Sequence, residues 1–339
     1  MKRLTFSITV LLLLGSNSSW SMGRPSPTRL VVALGDSMTA GTFANTTDSP
    51  GSREPDARGV FLLPPDPQKL NLDALPRGPD LKRALLKFLL RPFLENKGTL
   101  SWATGERIPS HFLRVKAALE GRGEDVSRLG ALNISVPGSK SIQVLEQVRS
   151  LPRELARLGN PRIEYLAMTV GANDACISTA GPVVPDEEFE QNAREILSGL
   201  AAAAEQAGAR PESPLRILVA GIPKIPDSGA VEFWKHEIWA GLTCETVRRK
   251  VFKFCPNLLD WTDEAGYRDR MAQVDRKNGI LRRIVAESKD LFPGIDAVFG
   301  EGLAGIAFTP DDLALDCFHP NALAQQKMSG ALWTDQPWF

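Results

Sequence analysis

The chain lacks the features that mark several large classes of protein. It has no excess of basic residues, because 40 lysines and arginines are matched by 40 aspartates and glutamates, so we expect no nucleic-acid partner. No internal run approaches the roughly 18 apolar residues that a membrane-spanning helix needs. Apolar residues nevertheless form 43% of the chain, which excludes extended disorder over most of the length.

Cysteine and histidine are also scarce, with four cysteines and three histidines in 339 residues. The sequence has no Cys-x-x-Cys pair and no His-Glu-x-x-His motif, so we expect no metal site. The four cysteines allow three pairings, and their spacing selects none of them. They are Cys176, Cys244, Cys255 and Cys317.

The first 21 residues have the pattern of a secretory signal peptide. Lys2 and Arg3 precede a mostly apolar run over residues 4–14, and small residues occupy positions 19 and 21. An uncleaved anchor or a first buried helix is the alternative interpretation. We expect cleavage after Ser21 and export of the protein. Export to an oxidising compartment makes two disulfides the default state of the four cysteines.

Strand and helix patterns alternate along the rest of the chain. Short apolar runs that stop at glycine or proline indicate buried strands, and longer spaced patterns indicate helices. This alternation predicts a parallel sheet covered on both faces. The predicted strands are residues 30–34, 132–136, 165–170, 215–220 and 296–299, and the predicted helices are 142–158, 186–207, 268–289 and 322–333.

Two regions depart from this alternation. Residues 44–98 contain eight prolines and are expected to form a long irregular insertion after the first strand. Residues 223–262 carry three tryptophans and two cysteines and are interpreted as a disulfide-tied excursion. We expect one domain over residues 22–339 that carries these two additions.

The insertion contains one amphipathic segment. Residues 81–91 read LKRALLKFLLR, which is typical of a helix in peripheral contact with a membrane surface or of a lid. The same pattern is typical of an ordinary helix that is docked on the protein with its lysines in solvent.

Four short blocks follow predicted strands or lie near the C-terminus. Open α/β sheets bind their ligands at the carboxyl ends of their strands. Each block alone is ordinary turn sequence, and only their order and strand context together indicate a site. The blocks are Gly35-Asp36-Ser37-Met38, Gly138, Gly171-Ala172-Asn173-Asp174 and Asp316-Cys317-Phe318-His319.

In this order the blocks resemble the SGNH, or GDSL-type, esterase and lipase family, and most closely its phospholipase B branch. The likeness extends over residues 30–43 and 100–335 and includes the LSWATG segment at 100–105. Met38 stands where the family has leucine. The resemblance implies an α/β fold, the three-layer flavodoxin-like SGNH hydrolase fold, with a central parallel sheet of about five strands. It also implies chemistry that needs no cofactor.

The resemblance further assigns roles to individual residues. Ser37 would be the nucleophile, His319 the general base, and Asp316 the residue that orients the imidazole. The oxyanion hole would consist of the backbone N–H groups of Ser37 and Gly138 and the side-chain amide of Asn173.

Three other carboxylates near these blocks receive structural interpretations. Asp174 is interpreted as a turn or helix-cap residue. Asp311 and Asp312 do not match the spacing of the family's acid, and we expect them on a solvated face.

The same resemblance implies a disulfide pairing. It places Asn173 and His319 in one site, and Cys176 and Cys317 lie next to these two residues in the sequence. We therefore expect a Cys176–Cys317 bridge, with Cys244 and Cys255 paired locally inside the excursion.

These observations predict an exported serine ester hydrolase that acts through an acyl-enzyme. The favoured substrates are lipid esters such as phospholipids and lysophospholipids. The alternatives are an esterase that removes acetyl groups from carbohydrate and a catalytically silent binding protein on the same fold.

Overall fold

A five-stranded parallel sheet forms the centre of the structure. The computed structural model describes residues 26–42, 44, 98–177, 181–239, 241–251 and 253–339. The predicted signal peptide and the basic segment 81–91 lie outside the described residues, as does all of the insertion except Ala44 and Gly98.

The described strands and helices follow one another in near-regular alternation. The strands are β1 (Arg29–Leu34), β2 (Leu129–Asn133), β3 (Arg162–Thr169), β4 (Leu215–Ala220), β5 (Glu237–Trp239), β6 (Leu242–Thr243) and β7 (Ile295–Gly300). The helices are α1 (Ser37–Ala40), α2 (His111–Gly121), α3 (Ser141–Arg157), α4 (Ala172–Ala175), α5 (Asp186–Gln206), α6 (Val231–Lys235), α7 (Cys244–Thr246), α8 (Pro256–Leu259), α9 (Glu264–Leu291), α10 (Gly302–Gly305) and α11 (Ala322–Trp333).

The sheet has the strand order β2-β1-β3-β4-β7, and all four pairings are parallel. This is the flavodoxin-like order, in which the chain reverses direction across the sheet next to β1. The prediction of a flavodoxin-like parallel sheet of about five strands is therefore confirmed. Strands β5 and β6 form a separate antiparallel hairpin inside the excursion at 223–262.

Helices cover both faces of the sheet, which gives three layers. Successive side chains of a strand point to opposite faces, and in β1 residues 30–34 are all fully buried. Leu30, Val32 and Leu34 pack on the side of α3, α5 and α9. Val31 and Ala33 pack on the opposite side, against α2 and α11. Double-sided burial explains why β1 reads as a continuous apolar run.

The second strand ends earlier than the sequence pattern suggests. We predicted residues 132–136, whereas β2 spans Leu129–Asn133. The side chain of Asn133 accepts a hydrogen bond from the backbone N–H of Ser135 at 3.1 Å. This local turn competes with the extended conformation and ends the strand at Asn133.

The predicted disulfide pairing is wrong. The bridges are Cys176–Cys255, with Cα atoms 4.7 Å apart, and Cys244–Cys317, with Cα atoms 5.4 Å apart. Cys244 packs in an apolar cluster with Cys317, whereas Cys255 packs in another cluster with Cys176. The excursion is thus tied by disulfides, but to two loops outside it rather than to itself.

Among the described helices, none is both long and apolar enough to cross a membrane.

Candidate active site

The turn after β1 places Ser37 at the carboxyl edge of the sheet. Gly35 has φ of +122°, and a Cβ atom there would lie 2.2 Å from the carbonyl oxygen of Thr169. Only glycine allows this backbone to pack directly on β3. Ser37 is the first residue of α1 and is 6% exposed.

A fully buried carboxylate precedes Ser37. Asp36 Oδ1 accepts hydrogen bonds from the backbone N–H of Met38 at 2.9 Å and from the hydroxyl of Thr169 at 2.8 Å. The first of these bonds caps helix α1. Asp36 Oδ2 has no partner among the described residues. Burial raises the pKa of Asp36 to about 6, against the lowering effect of these bonds and of the nearby His319.

His319 and Asp316 form a hydrogen-bonded pair in the turn that leads into α11. Asp316 Oδ2 bonds to His319 Nδ1, and Oδ1 accepts the backbone N–H groups of Phe318 at 3.1 Å and His319 at 3.0 Å. Burial opposes ionisation of Asp316, but the imidazole and these two N–H groups outweigh burial and lower its pKa. The pair is almost closed to solvent, since Asp316 is 0% and His319 7% exposed.

Helix α11 fastens this pair to the Ser37 turn. Gln325 in α11 donates to the carbonyl of Met38 at 3.1 Å and accepts the backbone N–H of Trp102 at 2.8 Å. The Ser37 turn is therefore hydrogen-bonded to the helix into which the Asp316–His319 turn leads. A triad of Ser37, Asp316 and His319 stays a prediction.

The loop after β2 is bound to the same turn. The side chain of Gln147 donates to the carbonyl of Gly35 and accepts its N–H, both at 2.8 Å, and also donates to the hydroxyl of Ser139 at 3.1 Å. The backbone N–H of Val136 donates to the same Gly35 carbonyl at 3.0 Å. Gly138 lies within this loop with φ of +79°, a conformation that favours glycine.

Asn173 joins the loop after β3 to the loop after β2. It lies in α4, and its Nδ2 donates to the carbonyl of Ser139 at 3.1 Å. The neighbouring Asp174 accepts the backbone N–H of Ser141 at 3.0 Å and its hydroxyl at 2.6 Å. Asp174 has a structural role, as expected, but its bonds hold the first turn of α3 rather than a cap of its own helix α4.

One of the two expected surface carboxylates is not on the surface. Asp311 is exposed, as expected. Asp312 is fully buried and forms an ion pair with Lys327 of α11 at 2.7 Å. Asp312 also accepts the backbone N–H of Thr309 at 2.8 Å, so it holds the turn before the Asp316–His319 pair.

Sequence reasoning missed an aromatic pair beside the imidazole. Phe254 and Phe318 stack with ring centroids 4.9 Å apart. Both rings meet the His319 ring edge to face, at 5.5 Å and 5.2 Å between centroids. Phe254 belongs to the excursion and precedes Cys255. This position next to a cysteine was the one sequence feature that could have indicated a place near the site.

No group of three or more His, Cys, Asp or Glu side chains suited to a metal ion occurs in the part of the chain that the structure describes. The hydrogen-bonded loops at the carboxyl edge of the sheet and before α11 carry a hydroxyl, an imidazole–carboxylate pair and several N–H groups. This set can support nucleophilic and general acid–base chemistry.

Solved structures of esterases and lipases are similar to this chain at low sequence identity. The esterase EstA from Pseudoalteromonas sp. is 13% identical, with 91% of this chain and 96% of that chain covered and a TM-score of 0.41. A lipase/acylhydrolase from Enterococcus faecalis is 13% identical, with 89% and 92% covered and a TM-score of 0.37. The acetylxylan esterase Axe2 from Geobacillus stearothermophilus is 11% identical, with 92% and 94% covered and a TM-score of 0.36.

The family comparison is more direct. No curated protein matches the chain. A family model described as GDSL-like Lipase/Acylhydrolase matches residues 31–332, a range that begins in β1 and ends in α11 and contains all four sequence blocks. The chain belongs to the family of GDSL-like lipases and acylhydrolases.

Proposed function

We propose that the protein is an exported serine ester hydrolase that transfers an acyl group from an ester to Ser37 and then to water. The observation that carries this proposal is the buried Asp316–His319 pair, which α11 fastens to the turn bearing Ser37. A hydroxyl beside a base that is itself oriented by a carboxylate is the general arrangement of an activated nucleophile.

In the first half-reaction, Ser37 Oγ attacks the ester carbonyl while His319 Nε2 takes the hydroxyl proton. Asp316 accepts the hydrogen bond of Nδ1–H and stabilises the imidazolium that forms. The tetrahedral intermediate then collapses, the bond from carbon to the alkoxy oxygen breaks, and His319 protonates the leaving alcohol. In the second half-reaction His319 takes a proton from water, whose oxygen attacks the acyl carbon. The bond from that carbon to Ser37 Oγ then breaks, the acid leaves, and His319 returns the proton to Oγ.

Three N–H donors are proposed to stabilise the negative charge on the carbonyl oxygen. They are the backbone N–H groups of Ser37 and Gly138 and the side-chain amide of Asn173. Asn173 Nδ2 donates one hydrogen to Ser139, and its second hydrogen is the one assigned to the substrate. The hydrogen bonds of Gln147 support this role, because they hold the Gly138 loop against the Ser37 turn.

The favoured substrates are esters with an apolar acyl or alcohol group, and lipid esters above all. The stacked rings of Phe254 and Phe318 support this choice, because they present apolar surface beside the imidazole that protonates the leaving group. Aromatic surface of this kind binds apolar groups by removing both from water.

The test combines active-site labelling with an ester panel. A fluorophosphonate probe should label the wild-type protein at Ser37 and leave Ser37→Ala unlabelled. The purified enzyme should hydrolyse lysophospholipid faster than acetylated xylan. Preference for acetylated xylan would instead establish the carbohydrate esterase, and no labelling at all would favour a silent binding protein.

Export is part of the same proposal. The two disulfides suit an oxidising compartment, and residues 1–21 have the pattern of a signal peptide. Sequencing the N-terminus of the protein purified from outside the cytoplasm should give Met22 as its first residue. A mature protein that begins at Met1 would contradict cleavage.

A further inference from the structure

The excursion at 223–262 contains a buried guanidinium that reaches the Asp316–His319 turn. Arg248 lies in a π-helical segment, Val247–Val251, and is 3% exposed. Its Nε donates to the carbonyl oxygen of Cys317 at 2.8 Å, and its Nη1 donates to the carbonyl of Ser228. Its guanidinium carbon lies 4.9 Å from the ring centre of Trp234.

The residue that accepts this bond has an unfavourable backbone conformation. Cys317 has φ of +61°, a region in which a residue other than glycine, asparagine or aspartate is held by its surroundings. Two of its constraints come from the excursion, namely the bridge to Cys244 and the bond from Arg248. Cys317 lies between Asp316 and Phe318-His319 in the sequence. Its backbone conformation therefore sets the direction of the turn after Asp316, and with it whether His319 Nδ1 faces the Asp316 carboxylate.

Arg248 also places a positive charge behind the pair. Burial lowers its pKa to about 10, against the attraction of Asp316 and Asp260, so the guanidinium stays charged at neutral pH. Two carboxylates also interact with the imidazole, namely Asp316 on its own turn and Asp36 on the turn after β1. Removal of the Arg248 charge would change the electrostatic potential at this pair, which the loss of a purely structural contact would not do.

We propose that Arg248 is a positioning residue for the acid–base pair, because its hydrogen bond fixes the Cys317 carbonyl and its buried charge lies behind the Asp316–His319 turn. This inference rests on the proposed function, because it assigns a role within the same site. Arg248 acts through the turn and touches neither substrate nor the reacting atoms.

The test compares two neighbouring arginines that contact the same tryptophan. Arg249 lies 5.2 Å from the Trp234 ring, but it is exposed and pairs with Glu245. Arg248→Met keeps most of the packing volume and removes both the charge and the donor, and Arg249→Met is the matched control. Rates are measured from pH 5 to 9 and divided by the concentration of fluorophosphonate-reactive sites.

Arg248→Met should lower kcat about 10- to 100-fold and move the acid limb of kcat/KM to higher pH by roughly 0.5–1 unit. Arg248→Lys retains the charge and should leave the acid limb in place while kcat falls. Arg249→Met should match the wild type in both. A merely structural arginine would lower thermal stability without moving the acid limb.

In folded Arg248→Met, either an unmoved acid limb or a kcat equal to wild type would overturn the inference. Should that variant fail to fold, Arg248→Gln decides the matter, because it retains a donor for the Cys317 carbonyl but not the charge. An unmoved acid limb in Arg248→Gln would overturn the inference equally. Failure of the proposed function looks different, since the wild type itself would then show neither labelling nor ester hydrolysis.

Discussion

A buried carboxylate one residue before the proposed nucleophile lowers the stability of the folded state when it is ionised. The pKa of Asp36 is raised to about 6 by burial, so the folded state binds its proton more tightly than the unfolded chain does. This tighter binding of the proton stabilises the folded state fully below the ordinary aspartate pKa. The stabilisation is lost as pH rises through about 6. Asp36 nevertheless caps α1 and thereby fixes the backbone of Ser37.

Asp36→Asn is therefore expected to stabilise the protein more at pH 8 than at pH 4. Asparagine can still accept the Met38 N–H and carries no charge to bury. Across this pH range the difference in unfolding free energy between variant and wild type should grow by up to about 3 kcal/mol. Urea unfolding at both pH values measures it. A difference independent of pH would show that folding does not raise the pKa of Asp36.

The individual members of the proposed triad make the sharpest test of activity. Ser37→Ala and His319→Ala should each lower kcat/KM by at least about a thousandfold, and Asp316→Asn should cost somewhat less. Asp311→Asn is the matched control, because Asp311 is an exposed carboxylate close in sequence. Hydrolysis of a p-nitrophenyl ester by each purified variant gives the values, and near wild-type activity in Ser37→Ala would exclude Ser37 as the nucleophile.

At the scale of elements, the two disulfides bind the excursion at 223–262 to two loops of the site. One bridge joins it beyond Asn173 through Cys176, and the other joins it between Asp316 and His319 through Cys317. The sequence separations of the bridges, 79 and 73 residues, are nearly equal. The chain-entropy model therefore assigns each a similar stabilisation, about 4 kcal/mol.

Equal stabilisation makes the two bridges controls for each other. The double variant Cys244→Ser with Cys317→Ser should lose more kcat than Cys176→Ser with Cys255→Ser, at a similar loss of stability. Cys317 lies inside the acid–base turn, whereas the Asn173 loop keeps the bonds between Asp174 and Ser141. Activity per labelled site and thermal unfolding of both variants measure the two quantities. Equal loss of kcat would contradict a specific role for the Cys244–Cys317 bridge.

The sheet and the site were more accessible to sequence reasoning than the excursion. Strand β4 and helix α11 have the predicted bounds, because apolar periodicity and glycine or proline stops mark such elements directly. The disulfides were mispredicted because residues 223–262 cross between two loops, a path that local patterns do not encode. Phe254 and Arg248 were missed for the same reason, since their partners lie about 65–70 residues away in the sequence.

Across the whole molecule, one histidine joins the sheet to the helical layer that α2 and α11 form. His111 of α2 is fully buried, its Nδ1 lies 2.7 Å from the hydroxyl of Tyr165 in β3, and its Nε2 lies 3.1 Å from the Ser329 carbonyl in α11. Trp102 and Trp333 meet its ring edge to face. Burial lowers the pKa of His111 to about 3, so the folded protein keeps this ring neutral where the unfolded chain would protonate it.

The resulting prediction concerns stability in acid. Between about pH 6.5 and pH 3 the unfolded chain binds a proton at His111 that the folded state does not, so stability falls as pH decreases through this window. His111→Gln cannot take up that proton and should lose less stability between pH 7 and pH 4, by about 3 kcal/mol. The variant starts from a lower stability at pH 7, because glutamine fills the site less well. Urea unfolding of both proteins at pH 7 and pH 4 gives the comparison. The same decrease in both would show that His111 is protonated in the folded state, and the assignment of a neutral buried ring between the sheet and this helical layer would then be wrong.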